Sequence, residues 1–320
     1  MDKNILEVKN LKKYFPVRKM GKKQYVKAVD DLNFSIREGE IFGVLGESGC
    51  GKSTLGRVIN RLDFEQSGDI TFLNNVISGK SYKSDKNFRK KMQMIFQNPY
   101  DSFDPKMLIY KSIELPMKIN DVNSDAGSRI NEIVETMNKA KLTPAESLLT
   151  RYPHELSGGQ LQRISIIRSM LLKPKFIIAD ECVSMLDVSV RAGVLNLLLT
   201  FQEELNSAML FITHDISVAT YICNRIMVLY AGKIMEIAES KDILDNPLHP
   251  YTRALVSYSP IISKEEKKRF RITGEVVTPI DPPPGCRFAS RCPMAKDICK
   301  KEEPILKEIG KNRKAACHFV

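Results

Sequence analysis

No stretch of the 320-residue chain holds 18 consecutive apolar residues, so no transmembrane helix is expected. The opening MDKNILEVKN lacks the basic-then-apolar run of a secretory signal. No internal repeat is evident, and no C-x2-4-C pair of the kind usual in structural zinc sites occurs. No aromatic-interleaved basic motif of the RNA-binding kind is present either. The formal net charge of +11 is therefore read as a lysine-rich solvated surface, without a nucleic-acid partner. Basic residues gather only modestly at 18–23, 264–271 and 296–314, and beside a membrane they would suit anionic headgroups. Seven cysteines without an export signal indicate a reducing compartment, where disulfides are a poor explanation, so a cytosolic protein is expected.

An apolar fraction of 43% and a charged fraction of 27% are those of a folded globular protein. At 320 residues, one large domain plus an appendage is the natural expectation. Alternation predicts strands at 5–9 and 26–36, with a Lys/Gly-rich turn, RKMGKK, between them. The apolar run IFGVLG (41–46) followed by a helical stretch from Lys52 reads as a strand–loop–helix unit. Further strands are expected at 69–74, 91–96, 176–180, 210–213 and 226–230, with helices at 188–206 and 215–224 and a hairpin turn at AGK (231–233). The region from about 100 to 172 reads as a helical insertion. Short apolar strands alternating with helices indicate an α/β core with a mainly parallel sheet. After about 245 the chain turns proline-rich and basic without a long periodic element, so residues 246–320 are expected to form a small module separate from 1–245.

GESGCGKST (46–54) fits G-x-x-x-x-G-K-[ST] between a predicted strand and a predicted helix, the setting of a phosphate-binding loop. Gly46, Ser48, Gly49 and Gly51 would let backbone N–H groups converge on phosphate oxygens, aided by the helix dipole. Lys52 would reach the β/γ-phosphates, with Ser53, followed by Thr54, as a ligand of Mg²⁺. FIIADE ends an apolar run in Asp180, a second Mg²⁺ anchor, and Glu181, placed to polarise a water molecule. LSGGQLQR (156–163) opens a helix with Ser157, Gly158, Gly159 and Gln160, again a geometry that aims backbone N–H groups at an anion. Gln97 in MIFQNP and His214 in FITHD follow strands; taken singly, each reads equally as an ordinary loop or capping residue.

In this order along the chain, the set resembles the nucleotide-binding subunits of ATP-binding-cassette (ABC) transporters over residues 4–245. The resemblance implies a P-loop NTPase fold: a RecA-like, mainly parallel sheet with an antiparallel β-subdomain and a helical subdomain. It also implies ATP and Mg²⁺ as substrate and cofactor, with two cassettes closing head to tail so that Ser157–Gly159 of one meets the γ-phosphate held by the other. In that family Glu181 matches the general base, His214 the switch histidine and Gln97 the Mg²⁺-ligating coupling residue. Asp187 matches the aspartate that communicates between sites, and Phe15, with Tyr14 as the alternative, the adenine-stacking aromatic. The sequence departs from the pattern at Cys182 and Met185, where Pro and Ala are usual, and at Leu161, where a polar residue is common.

NPLHPYTRAL (246–255), GEV (274–276) and PPPGCRFASRCPMAKDIC with a later ACH resemble the C-terminal region of the ATPase subunits of oligopeptide and dipeptide importers. GESGCGKSTLGR leans to the F-type subunit of that pair. The resemblance implies a peripheral subunit on the cytoplasmic face of the membrane. Its partners would be a second ATPase, of the D-type in a heterodimer, two transmembrane permeases and an extracytoplasmic solute-binding protein. The solute would be a peptide, with nickel or another small solute as an alternative. A different class, a soluble regulatory or nucleic-acid-associated ATPase, stays open on the residues alone. Cys286, Cys292, Cys299 and Cys317, spaced C-x5-C-x6-C-x17-C, are read as ligands of a [4Fe–4S] cluster. The family resemblance also implies this cluster. Zinc, with His318 as a substitute ligand, and free thiols are the alternatives. Cys50, Cys182 and Cys223 read as small structural side chains.

Overall fold

The computed structural model describes residues 3–19, 22–79, 81–82, 84–123, 125–259, 270, 272–274 and 278–320. Of the expected features, most of the basic run 264–271, residues 275–276 of GEV and the centre of the RKMGKK turn lie outside the described residues. The chain forms two compact units, one built from 1–82 with 210–320 and the other from 83–209.

In the first unit, the strands Asn4–Lys19 and Lys22–Arg37 pair antiparallel, putting Leu6 beside Ile36, Val8 beside Phe34 and Leu11 beside Leu32. All six are buried, so the register is fixed by one apolar face. Irregularities between Val8 and Leu11 coincide with Asn10 and Asp31 at positive φ, as in β-bulges. These strands run well beyond the expected 5–9 and 26–36. Ser67–Phe72 adds on the other side and turns through Leu73 and Asn74, both at positive φ, into Asn75–Val76.

A second layer of the same unit runs in the order Lys307–Gly310, Arg313–Ala315, Lys233–Glu239, Arg225–Tyr230, Ile41–Leu45 and Ala208–Thr213. Ile41–Leu45 is buried throughout and lies parallel to Arg225–Tyr230, as an uninterrupted apolar run requires. The expected AGK hairpin is formed by Ala231 and Gly232, at φ 45° and 81°. The helix Pro250–Tyr258 and the two short C-terminal strands, the latter paired through Glu236 with Ala315 and Ile237 with Lys314, were not anticipated. The described C-terminal residues thus extend the sheet of the first unit and share its core.

At the end of the helix Lys52–Ile59, the buried side chains of Arg61 and Glu65 close a triad with the backbone of Gly79. Arg61 Nη1 lies 2.5 Å from Glu65 Oε2, the Gly79 N–H donates to Glu65 Oε1, and Arg61 Nη2 donates to the Gly79 carbonyl at 2.7 Å. Burial alone would raise the Glu65 carboxyl, yet the Gly79 N–H and Arg61 outweigh it and hold the pKa below the usual value. Because the folded value is depressed, this contribution is full above the unfolded pKa of about 4.3 and is lost as pH falls through the folded value. Glu65→Gln is expected to cost about 1–3 kcal/mol near neutral pH. Urea unfolding from pH 7 down to pH 3 should show the gap to wild type closing with acid; a gap independent of pH contradicts this.

The second unit holds the parallel strands Met92–Ile95 and Phe176–Asp180 and the helices Lys86–Lys91, Ile109–Ile119, Ala126–Lys139, Ala145–Leu149, Gly158–Met170 and Val188–Leu205. Four of these helices fall within the expected insertion. Asp125 caps one by accepting from the N–H groups of Gly127 and Ser128, and Asn206, at φ 46°, ends another. Among the described residues no helix is long and apolar enough to cross a membrane.

Candidate functional site

The phosphate-loop residues all lie in the first unit. Gly51 caps the helix Lys52–Ile59 in the left-handed region, φ 106°, with no side chain capping the helix. No side-chain hydrogen bond occupies the helix start, and the helix dipole favours an anion there. A Cβ on Gly51 would stand 1.9 Å from the Ala28 carbonyl oxygen, and one on Gly46 would stand 2.2 Å from that of Leu229. The loop therefore curls against two strands with no space for side chains, the close backbone cradle that phosphate binding needs. Gly49, at φ 78°, faces open space, and Ser48 is among the exposed loop residues. Lys52 is buried and donates to the carbonyls of Gly46 at 2.8 Å and Glu47 at 3.0 Å, so its ammonium is held over the loop. Ser53 and Thr54 follow in the first helical turn.

Phe15 keeps 36% of its surface exposed, whereas the Tyr14 hydroxyl is bound to Asp30 Oδ1 at 2.5 Å. Of the two rings, Phe15 is the more exposed, with the Lys13 ammonium 4.9 Å from its centroid. His214 is exposed just after the strand Ala208–Thr213 and just before Asp215, which caps the helix Ile216–Ile222 through the N–H groups of Ser217 and Val218.

The remaining residues lie in the second unit. Asp180 ends the buried strand Phe176–Asp180, and Glu181 turns the chain at φ 44°, a conformation that non-glycine residues rarely take. Ser184 Oγ donates to the Glu181 carbonyl at 2.7 Å, and the Gln97 amide reaches Ser184 Oγ at 3.4 Å. The strand ends thus bring Gln97 to the loop that follows Asp180. Ser157 and Gln160 form a reciprocal capping box at the start of the helix Gly158–Met170. A Cβ on Gly159 would meet Val190 at 2.6 Å, so this glycine is required by close helix approach, while Gly158 faces open space. Asp187 precedes the helix Val188–Leu205 on an exposed edge with Met185, itself 64% exposed. Leu161, the departure from a polar residue, is fully buried.

The iron–sulfur expectation is not upheld. Among the described residues, no group of three or more His, Cys, Asp or Glu side chains is placed to hold a metal ion, so neither the cluster nor zinc is retained. Cys286, Cys292, Cys299 and Cys317 are free thiols that line one cavity of about 40 Å³. Burial pushes the Cys286 thiol up to about 11 and raises Cys292, which disfavours the thiolate. The His318 ring is taken by the Glu302 carbonyl oxygen at 3.0 Å. Cys50 and Cys182 are also buried, with pKa values raised by desolvation to about 11 and about 12, in keeping with structural side chains.

Sequence reading missed the contacts of Glu47, Tyr251 and Arg291. The Glu47 N–H donates to Tyr251 Oη at 3.0 Å, and Arg291 Nη1 lies 2.6 Å from Glu47 Oε2. All three stand inside motifs already quoted, but the loop pattern leaves Glu47 unspecified, and no local signal joins partners more than 200 residues apart.

A model of the ABC transporter family matches residues 29–184. The loop geometry and this match define the chain as an ATPase of the ABC class. A second model, the C-terminal region of oligopeptide/dipeptide transporters, matches residues 235–299. The chain is 44% identical over 322 residues to the oligopeptide transport ATP-binding protein AppF of Bacillus subtilis, covering 98% of this chain and 97% of that one. It is 41% identical over 324 residues to the dipeptide transport ATP-binding protein DppF of Haemophilus influenzae, covering 99% and 97%. Among solved structures it is similar to the ATP-binding cassette MJ0796 in a dimeric post-hydrolysis state bound to ADP and Pi, with TM-score 0.65 and 29% identity over 73% of this chain and 98% of that one. The chain belongs to the ATP-binding subunits of ABC transporters of the oligopeptide/dipeptide type, and it is an ATP-hydrolysing subunit for peptide import.

Proposed function

We propose that this chain holds ATP on the Gly46–Thr54 loop and hydrolyses it with Glu181 as general base, in a dimer closed against a second cassette. The observation that carries this reading is the loop itself: Gly46 and Gly51 without room for a Cβ, a helix start with no side-chain cap and a buried Lys52. Lys52 neutralises the β/γ-phosphates, and the Phe15 ring stacks on adenine. The Ser53 hydroxyl, the Gln97 amide oxygen and the Asp180 carboxylate are oxygen donors of the kind Mg²⁺ takes, and they would hold it. Bound there, Mg²⁺ would neutralise charge developing on the phosphate oxygens. Glu181 accepts a proton from water as the water oxygen bonds to the γ-phosphorus and the bond to the β–γ bridging oxygen breaks. His214 holds the γ-phosphate and the attacking water. Ser157, Gly158, Gly159 and Gln160 serve the nucleotide of the second cassette, with Asp187 linking the two sites. The exposed apolar residues Met185 and Val188, 64% and 81% accessible beside Asp187, support a surface that a second cassette covers.

In this reading residues 1–245 are the cassette, with the helical part at about 100–172, and residues 246–320 are the transporter-specific module built on it. The second cassette is a D-type subunit. Two permeases dock near Gln97 and residues 100–105, where Tyr100 is exposed, and an extracytoplasmic binding protein delivers a di- or oligopeptide. The chain sits on the cytoplasmic face of the membrane. The test is extraction of the native protein from cells. Release only by detergent, together with hydrophobic partners, supports the reading. Recovery without detergent, on nucleic acid with an affinity that falls steeply with salt, overturns it.

A further inference from the structure

The phosphate loop is gripped from outside the cassette motifs. Every polar group of Glu47, the loop's second residue, is engaged. Its backbone N–H donates to Tyr251 Oη at 3.0 Å, and its carbonyl accepts from Lys52 Nζ at 3.0 Å. Its carboxylate meets Arg291 through two contacts, Nη1 to Oε2 at 2.6 Å and Nη2 to Oε1 at 3.2 Å. Tyr251 lies on the helix Pro250–Tyr258, and Arg291 lies in the segment between Cys286 and Cys292.

Neither partner is a mobile surface group. Tyr251 and Phe288 are fully buried, and Tyr230 nearly so; their rings meet at centroid distances of 4.8 to 5.3 Å. The Arg291 N–H donates to the Phe288 carbonyl at 3.0 Å, which ties the arginine to that aromatic anchor, and its guanidinium lies 5.7 Å from the Tyr230 ring. The Arg291 side chain is 7% exposed and that of Glu47 25%, so the pair is shielded well beyond an ordinary surface bridge. A two-contact arginine–carboxylate pair also fixes orientation, which a lysine cannot do.

We propose that Arg291 and Tyr251 are positioning residues for ATP binding: the C-terminal region clamps Glu47 and so holds the phosphate loop and Lys52 in their binding shape. The clamp rests on the reading of Gly46–Thr54 as the phosphate loop. It gives residues 286–299 a direct mechanical route to the nucleotide, because any shift of that segment moves Arg291 against the loop.

The test measures the Kd for Mg-ATP on the full chain, with the thermal midpoint of each variant alongside. Arg291→Ala and Glu47→Ala are each expected to weaken ATP binding roughly tenfold, the size of one lost charge-assisted contact. The double variant should be no worse than either single one, since both break the same pair. Arg291→Lys should fall between. In the assembled transporter the KM for ATP should rise while kcat stays within about twofold, because the loop is displaced in the ground state and the base is untouched. Arg225→Ala removes another buried pair of the same unit, Arg225 Nε with Glu40 Oε1 at 2.6 Å, and should lower the thermal midpoint without changing the Kd. If Arg291→Ala does not fold, Glu47→Gln and Tyr251→Phe take its place, each expected to weaken ATP binding severalfold. Unchanged ATP affinity in Arg291→Ala and Glu47→Ala, or effects that multiply in the double variant, would overturn the clamp alone. Failure of the unaltered chain to bind Mg-ATP would overturn the loop reading, and the clamp with it.

Discussion

Glu181→Gln is expected to lower ATP turnover by roughly 10²–10⁴-fold, the contribution of a positioned general base, while ATP binding stays near wild type. The substitution keeps the shape and the hydrogen-bonding capacity of the side chain but removes the group that accepts the proton from water. The binding groups on the phosphate loop belong to a different segment and are unaltered. The local structure favours a clean result. The backbone of Glu181 is fixed at φ 44°, with its carbonyl bound by Ser184 Oγ, and neither feature depends on the carboxylate. Single-turnover hydrolysis measured beside equilibrium ATP binding checks this. Steady-state turnover at the wild-type rate would sink the assignment of Glu181 as the base.

Gly51→Ala is expected to be strongly damaging for the addition of a single methyl group. Two costs add. At φ 106° a Cβ is sterically strained whatever surrounds it, and the added methyl would lie 1.9 Å from the carbonyl oxygen of buried Ala28, inside contact distance of that strand. Together they are worth about 2–5 kcal/mol. Relief requires the loop to move off the strand, which withdraws the N–H groups of the first helical turn from the phosphates. Both the denaturation midpoint and ATP affinity should fall together. Gly158→Ala provides the contrast: that position faces open space, and a Cβ there should leave stability within about 0.5 kcal/mol of wild type. Wild-type stability in Gly51→Ala would show that the loop does not pack as described.

The cassette was legible because its local signals agree. The strand Phe176–Asp180 begins and ends where the apolar run does, and the helix Val188–Leu205 departs from its expected span by one residue. The phosphate-loop glycines, expected to let the backbone curl, include Gly49 and Gly51 at φ 78° and 106°. Reading stopped at the long strands Asn4–Lys19 and Lys22–Arg37, whose bulges at Asn10 and Asp31 break the alternation on which the expectation depended. The strand Arg313–Ala315 was invisible for another reason: three residues carry no period, and their place is set by pairing with a strand some eighty residues earlier.

The C-terminal cysteines show where spacing stops being informative. C-x5-C-x6-C-x17-C fixes how far apart the thiols are along the chain and says nothing about where their side chains converge. In the fold the Cys286 N–H is bound to the Cys299 carbonyl at 2.7 Å, so backbone hydrogen bonding already joins these loops. The same segment supplies Arg291 to Glu47 and Arg287 to Asp30, two ion pairs that tie it to the phosphate loop and to the strand Lys22–Arg37. Their partners could not be read locally, because each pair joins positions about 250 residues apart.

Peptide uptake by proteoliposomes tests the central claim most directly. The chain, a partner ATPase and two permeases are reconstituted with a peptide-loaded binding protein, and ATP is supplied on the cassette side. Wild type is predicted to accumulate peptide and to consume ATP faster when the loaded binding protein is present, while vesicles carrying Glu181→Gln bind ATP and accumulate none. Uptake that proceeds equally with Glu181→Gln, or ATP turnover indifferent to the loaded binding protein, would contradict the account.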